Sequence, residues 1–366
     1  MKCRALVIVG TRPEAIKMAP VILALRNSPD ISCCVLATAQ HRHMLDQVMK
    51  VFDIKPDIDL DIMRPNQTLT ALTARLLSGL DDVLVGEKPD VVLVQGDTTT
   101  VMTAALACFY HRIPFGHVEA GLRTWDMQNP FPEEMNRVIA GRLAKWYFAP
   151  TESSRQNLLR EGVSDKDIVV TGNTVIDALL SVVDRHVELP IQLDPTKRLI
   201  LVTAHRRENF GEPFERVCHA VLALLERNQD IQILYPVHPN PNVRDTAHRL
   251  LGTHPRVVLC DPLDYLPFVG AMKRAYLILS DSGGVQEEAP ALGKPVLVLR
   301  HETERPEAVR EGVVKLVGTD FEMIVSEAQK LLDDKSAYGK MARGVSPYGD
   351  GHAAERIVKV LRDHFS

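Results

Sequence analysis

Ser280-Asp281-Ser282-Gly283-Gly284-Val285-Gln286-Glu287-Glu288 decides how this chain is read. The stretch follows a short apolar run, Tyr276 to Leu279, which reads as a buried strand, and precedes a short helix that should stop near Gly293. Ser282, Gly283 and Gly284 therefore fall at the N-terminus of a helix that leaves a strand. Unpaired N–H groups and the helix dipole favour an anion there, and two glycines let a phosphate approach the backbone. Glu287 and Glu288 lie about a turn further on, where a carboxylate accepts hydrogen bonds from ribose hydroxyls. The ordinary alternative is an Asp/Ser helix cap with a glycine turn. The rest of the chain has to decide between the two.

Working outward, short apolar strands alternate with helices on both sides of this stretch. In the first half the strands are Ala5 to Val9, Val35 to Thr38, Val91 to Gln95, Pro114 to Val118 and Tyr147 to Ala149. Helices are expected over about Pro13 to Leu25, His43 to Phe52, Thr68 to Val85 and Val101 to Tyr110, with another beginning at Pro132. After Thr171-Gly172-Asn173-Thr174, a helix to about Val183 and a proline-bearing loop, strands recur at Leu199 to Thr203, Ile231 to Tyr235, Val257 to Leu259, Tyr276 to Leu279 and Pro295 to Leu299. Such alternation predicts parallel doubly wound sheets. At 366 residues the chain is long enough for two domains. The expected division is 1–172 and 173–351, two Rossmann-like domains facing a cleft, with an amphipathic last helix within 352–366 that packs back on the first. Ligands of such sheets bind at the carboxyl ends of strands, and Arg12, Gln40, Asp97 and Glu119 all follow expected strands.

The composition narrows the partners. Net charge is −4 and no long basic run occurs, which argues against nucleic acid or an anionic membrane surface. The six cysteines are scattered, mostly in apolar runs and without zinc-type pairing, as in a reducing cytoplasm. The apolar run Ala5 to Val9 is too short for a signal peptide, and no stretch could span a bilayer.

Chemistry-bearing residues cluster at the strand ends. Gly10-Thr11-Arg12-Pro13-Glu14 is a strand–glycine–helix turn without the three-glycine dinucleotide fingerprint or a P-loop ending; Arg12 and Lys17 are the cations it offers, against the alternative of solvated surface charges. Three acids stand out as proton donors or acceptors: Asp97, otherwise a helix cap; Glu119, between a strand and a glycine; and Glu133, otherwise a dipole-favoured acid in a first helical turn. His205, straight after a strand and before Arg206 and Arg207, suits a phosphate contact or titration near neutrality. His238 has a similar position and a weaker case. Arg305 opens another helix near a strand end, and Phe268 is a candidate to face a flat base, or else a core residue. The residues point to chemistry without a metal or a serine nucleophile.

At this point the motifs meet a family. Gly10-Thr11-Arg12-Pro13-Glu14-Ala15-Ile16-Lys17, Gln95-Gly96-Asp97-Thr98-Thr99-Thr100, His117-Val118-Glu119-Ala120-Gly121-Leu122-Arg123-Thr124, His205-Arg206-Arg207-Glu208-Asn209 and Asp281-Ser282-Gly283-Gly284-Val285-Gln286-Glu287-Glu288 together resemble the non-hydrolysing UDP-N-acetylglucosamine 2-epimerases of bacteria. The resemblance extends to Pro347-Tyr348-Gly349-Asp350-Gly351, almost the whole chain. It implies a glycosyltransferase-B type fold and interconversion of UDP-N-acetylglucosamine and UDP-N-acetylmannosamine, usually by a cytoplasmic homodimer, with no cofactor and no metal. By motif, Asp97, Glu119 and Glu133 take the family's catalytic carboxylate positions and His205 its histidine. Arg12, Lys17, Leu263 through its backbone, Phe268, Ser282, Gly283, Gly284, Glu288 and Arg305 take UDP-binding positions. Gln40, His41, Gln47, Arg207 and His238 resemble parts of a site at which some members bind a second UDP-N-acetylglucosamine as activator. Ala204 stands where some members have glycine, and Arg64-Pro65-Asn66-Gln67 differs from members with an arginine one residue before the glutamine. The competing readings are a glycosyltransferase of the same fold, a hydrolysing epimerase and a non-catalytic UDP-sugar sensor.

Overall fold

The computed structural model describes residues 2–38, 42–64, 67–185 and 187–366, with the side chains of 42–44 left aside. Gln40 and His41 of the expected activator set lie outside the described residues. The chain divides into two compact units: Met1–Ser181 with Tyr348–Ser366, and Val182–Pro347.

The first unit is built on β1 (Cys3–Val9), β2 (Ile31–Ala37), β3 (Ile58–Asp59), β4 (Val91–Gln95), β5 (Phe115–Val118), β6 (Trp146–Ala149) and β7 (Ile168–Val170). They form one parallel sheet in the order β3-β2-β1-β4-β5-β6-β7. Every residue of β4, Val-Val-Leu-Val-Gln, is buried, as a parallel strand covered by helices on both faces requires. Leu6, Ile8, Val92 and Val94 pack there with Val101, Ala104, Ala105 and Cys108 of the helix Thr99–His111.

The second unit repeats the plan. Strands β8 (Arg198–Thr203), β9 (Ile231–Pro236), β10 (Val257–Cys260), β11 (Leu277–Ser280), β12 (Val296–Val298) and β13 (Val314–Leu316) form a parallel sheet in the order β10-β9-β8-β11-β12-β13. Its core joins Ile200, Val202, Ile233 and Leu279 to the apolar stripe of the helix Glu212–Arg227. In each sheet the strand order reverses direction once, between β1 and β4 and between β8 and β11. These are the switch points at which open α/β sheets place ligands.

The first unit ends at Ser181, further along than residue 172 where the sequence suggested a division. The helix Thr174–Val182 is tied into it by the returning chain. Asn173 donates its backbone N–H to the Tyr348 carbonyl at 2.6 Å, and Asp177 accepts from the Ala354 N–H at 2.8 Å. The last helix, Ala353–Phe365, buries Ile357, Val358 and Leu361, packs on the helix Arg12–Arg26, and sets His364 and Phe365 edge-on to Trp146. No helix among the described residues is long and apolar enough to cross a membrane.

Candidate active site

Each switch point carries a set of polar groups. In the first unit the turn after β1 is already filled from within. The Glu14 carboxylate accepts the N–H groups of Gly10 and Thr11, both at 2.7 Å, and the Thr98 hydroxyl. The N–H groups of the glycine turn after β1 are thus taken up by a carboxyl group of the chain itself. Burial pushes the Glu14 carboxyl up to about 7, against the hydrogen bonds that favour its ionised form.

Glu119 follows β5 with φ +65°, a left-handed conformation that costs a residue with a Cβ of order 1–3 kcal/mol. Its carboxylate is buried and accepts from Lys17, from Gln95, and from Asn173 Nδ2 at 2.9 Å. Lys17, expected at the nucleotide, is buried in this ion pair. Asp97, after β4, does not cap the next helix, whose N-cap is Thr98. Its Oδ2 accepts Arg137 Nε at 3.0 Å and Nη2 at 2.6 Å. Arg137 also donates to Glu134 at 2.9 Å. Of the adjacent acids Glu133 and Glu134, the second is the fully engaged one, accepting the N–H groups of Thr124 and Trp125 as well. Glu133, the first residue of the helix Glu133–Leu143, keeps a buried Oε2 with no hydrogen-bond partner among the described residues. Arg12 is half-buried at the start of its helix. His117, in the same motif as Glu119, escaped the sequence reading. It is buried, its Nε2 lies 2.7 Å from the Gly96 carbonyl, and burial lowers it to about 4, so near neutrality it is uncharged and donates that bond.

The second unit centres on Asp281, which is wholly buried. Its Oδ2 accepts the N–H groups of His205 and Arg206, each at 2.8 Å, and Asn209 Nδ2 at 3.2 Å. Its Oδ1 lies 3.3 Å from His205 Nδ1. Asp281 therefore holds the loop that carries His205 through Oδ2, while Oδ1 lies near the ring with no hydrogen-bond partner among the described residues. The His238 ring stacks on His205 with centroids 5.6 Å apart. Burial first, and then the neighbouring His205, lowers the pKa of His238. Arg207 and His238 are exposed, as is Gln47 in the first unit.

Ser282 is the N-cap of the helix Gly283–Ala291, yet its side chain makes no capping bond. The ordinary cap reading is thus not the arrangement found. The Arg305 guanidinium lies against Gly283: a Cβ there would sit 2.7 Å from its Cζ and Nη1. Arg305 donates from Nε to Glu287 at 2.6 Å and from Nη1 to Glu304, and Glu304 continues to Arg300 at 2.9 Å. Although burial acts against ionisation, Arg305 and Arg300 hold Glu304 well below the usual carboxylate range. Glu288 accepts the Tyr265 hydroxyl at 2.9 Å. Leu263 is buried and Phe268 half-buried, the latter on the helix Tyr265–Arg274. The structure thus groups Lys17, Gln95, Glu119 and Asn173 in one unit, and His205, His238 and Asp281, with Ser282, Gly283 and Arg305 at the next turn, in the other. Among the described residues no group of three or more His, Cys, Asp or Glu is placed to hold a metal ion.

Two parallel doubly wound units with polar sets at their switch points define a protein of the glycosyltransferase-B type fold. The family model for UDP-N-acetylglucosamine 2-epimerase matches residues 23–362. The chain is 57% identical to the UDP-N-acetylglucosamine 2-epimerase of Escherichia coli K12, over 99% of each chain. It therefore belongs to the UDP-N-acetylglucosamine 2-epimerase family. Among solved structures, the Neisseria meningitidis UDP-GlcNAc 2-epimerase bound to UDP-GlcNAc superposes with TM-score 0.93 at 49% identity, covering 98% of this chain and 100% of the other. The Methanocaldococcus jannaschii UDP-GlcNAc 2-epimerase in complex with UDP-GlcNAc and UDP gives TM-score 0.85 at 34% identity, covering 98% and 99%.

Proposed function

We propose that the protein reversibly converts UDP-N-acetylglucosamine to UDP-N-acetylmannosamine by elimination and re-addition of UDP. The observation that carries this reading is the end-to-end match to enzymes of that name, one of them bound to UDP-GlcNAc. The C2 proton next to an N-acetyl group is not acidic, so inversion by simple deprotonation is unfavourable. Elimination avoids this: a base takes the proton from C2, the C1–O bond breaks with its electron pair going to UDP, and a C1–C2 double bond forms. Protonation of C2 on the opposite face and return of the UDP oxygen to C1 give the epimer. No electrons are exchanged with a cofactor.

In this reading Asp97, Glu119 and Glu133 handle protons, with His205 beside the diphosphate. Arg12, Lys17, Leu263, Phe268, Ser282, Gly283, Gly284, Glu288 and Arg305 hold the nucleotide. Gln40, His41, Gln47, Arg207 and His238 take a second UDP-N-acetylglucosamine as activator. The enzyme works as a cytoplasmic homodimer and supplies mannosamine nucleotide for surface polysaccharide. The test is proton NMR of the reaction in heavy water, run in both directions. Product should carry deuterium at C2, and the reaction begun from rigorously purified UDP-N-acetylmannosamine should show a lag that traces of UDP-N-acetylglucosamine abolish. Retention of the original hydrogen sinks the elimination route. Free sugar indicates hydrolysis, no conversion indicates transfer or sensing, and a curve without a lag removes the activator site alone.

A further inference from the structure

Asn173 belongs to none of the motifs that reveal the family, yet it touches the central carboxylate. It is buried, at 3% exposure, and its side chain and backbone N–H make three hydrogen bonds that fix it. Its Nδ2 donates to Glu119 Oε1 at 2.9 Å, its Oδ1 accepts the Val175 N–H at 3.1 Å, and its backbone N–H donates to the Tyr348 carbonyl at 2.6 Å. The second contact caps the start of the helix Thr174–Val182. The third ties it to the first residue of the chain segment that returns from the second unit. Glycines on both sides permit that approach. Gly172 has φ +90° and a Cβ there would lie 3.3 Å from Gly349 Cα; Gly349 has φ +151° and a Cβ there would lie 3.4 Å from Asn173 N.

Glu119 needs such support. Its backbone is in the left-handed region and its carboxylate is buried. The charged and titratable groups near it include Lys17, from the first helix, and His117, two residues back, on which Arg123, Glu119 and Asp97 all act electrostatically. Lys17 supplies opposite charge, but an ammonium on a flexible stem does not fix the plane of a carboxylate. Gln95, at the end of β4, and Asn173, fixed by two further bonds, hold the two oxygens from different elements.

We propose that Asn173 is a positioning residue for the epimerisation, setting the orientation of Glu119 through Nδ2 and being itself locked by the returning chain at Tyr348. The proposal rests on the epimerase reading above. Asn173→Asp is the informative variant, since it keeps the Oδ1 cap of the Thr174–Val182 helix and replaces only the donor facing Glu119. The variant should fold with a thermal midpoint close to the parent's. Losing a bond to a charged group and gaining a like charge should lower kcat by roughly 10–100-fold with KM little changed. Two carboxyls within hydrogen-bonding distance also share a proton, so the acid limb of the kcat profile should move to higher pH. In a double-mutant cycle with Glu119→Gln the two kcat losses should be markedly less than multiplicative, because Asn173 acts through Glu119. Asn173→Ser, which keeps a capping oxygen too short to reach Glu119, covers the case in which the Asp variant fails to fold. Its kcat should fall about 10-fold with the pH limb little moved. Unchanged kcat in the folded variants, or fully multiplicative losses in the cycle, would overturn the proposal. A parent protein that forms no mannosamine nucleotide would instead overturn the epimerase reading.

Discussion

Burial moves Glu14 and His117 in opposite directions on the pH scale. Glu14 rises from an ordinary 4.5 to about 7, so the folded chain holds its proton more tightly than the unfolded chain. Its contribution to stability is complete below about pH 4.5 and is lost as pH rises through 7. His117 falls from 6.5 to about 4; its contribution is complete above 6.5 and lost as pH falls through 4. Between 4.5 and 6.5 the two slopes oppose each other. Glu14→Gln keeps an oxygen for the Gly10 and Thr11 N–H groups and offers an amide to the Thr98 hydroxyl, which can turn to accept it. The expected outcome is a folded variant whose thermal midpoint, measured against the parent's at each pH, improves steadily from pH 4.5 to 7 and then levels. A pH-independent difference between the two proteins would show that Glu14 does not titrate in that window. Glu14 was not singled out in the sequence, since its role depends on which backbone groups its carboxylate reaches. Asn173 and Arg137 were hidden for a related reason: their partners, Glu119 and Asp97, are 54 and 40 residues away.

At the scale of elements, the helix Gly283–Ala291 shows what local sequence does reveal. A buried strand, a Ser-Gly-Gly turn and a short helix are read from adjacent residues, and the structure has them as β11 and that helix, with Ser282 at the cap. Ten strands were legible for the same reason, as apolar runs bounded by turns; the shortest of them, β12, is wholly buried between β11 and β13. The edge strands β3, β7 and β13 were not: they are two or three residues long, and β13 carries Lys315. Nor could the sequence say that Arg305 would lie over Gly283, locked by Glu287 and Glu304. That packing gives a sharp prediction. In Gly283→Ala the new Cβ would meet the guanidinium at 2.7 Å, and Arg305, held by two carboxylates, must shift. The strand and helix remain, so thermal stability should change little. If the Ser282 turn and Arg305 hold the diphosphate, UDP affinity by calorimetry should fall roughly 10-fold, the effect of a misplaced hydrogen bond to a charged group. Unchanged affinity would remove Arg305 and the Gly283 N–H from the proposed phosphate site.

The molecule as a whole consists of two sheets of one design, and the last helix belongs with the first of them although the second lies between in sequence. The amphipathic pattern of Ala353–Phe365 was legible, as was its return; the groups that receive it, Asp177 at its N-terminus and Trp146 near its end, were not. Ile357 and Leu361 are fully buried and Val358 nearly so. At about 1.5–3 kcal/mol per buried aliphatic side chain, the three contribute on the order of 5–8 kcal/mol, comparable with the whole net stability of a domain at about 5–15 kcal/mol. Removing residues 353–366 should therefore unfold the first unit and leave the second, which draws no residue from that helix, folded. Fluorescence reads this directly, because both tryptophans of the chain, Trp125 and Trp146, lie in the first unit. The shortened protein should show tryptophan emission shifted to that of exposed indole, together with a cooperative unfolding transition in far-UV circular dichroism from the Val182–Pro347 unit. Trp146 emission unchanged from the parent's would mean that the first sheet stands without the helix, and loss of the remaining transition would mean that the second unit cannot fold when the first does not.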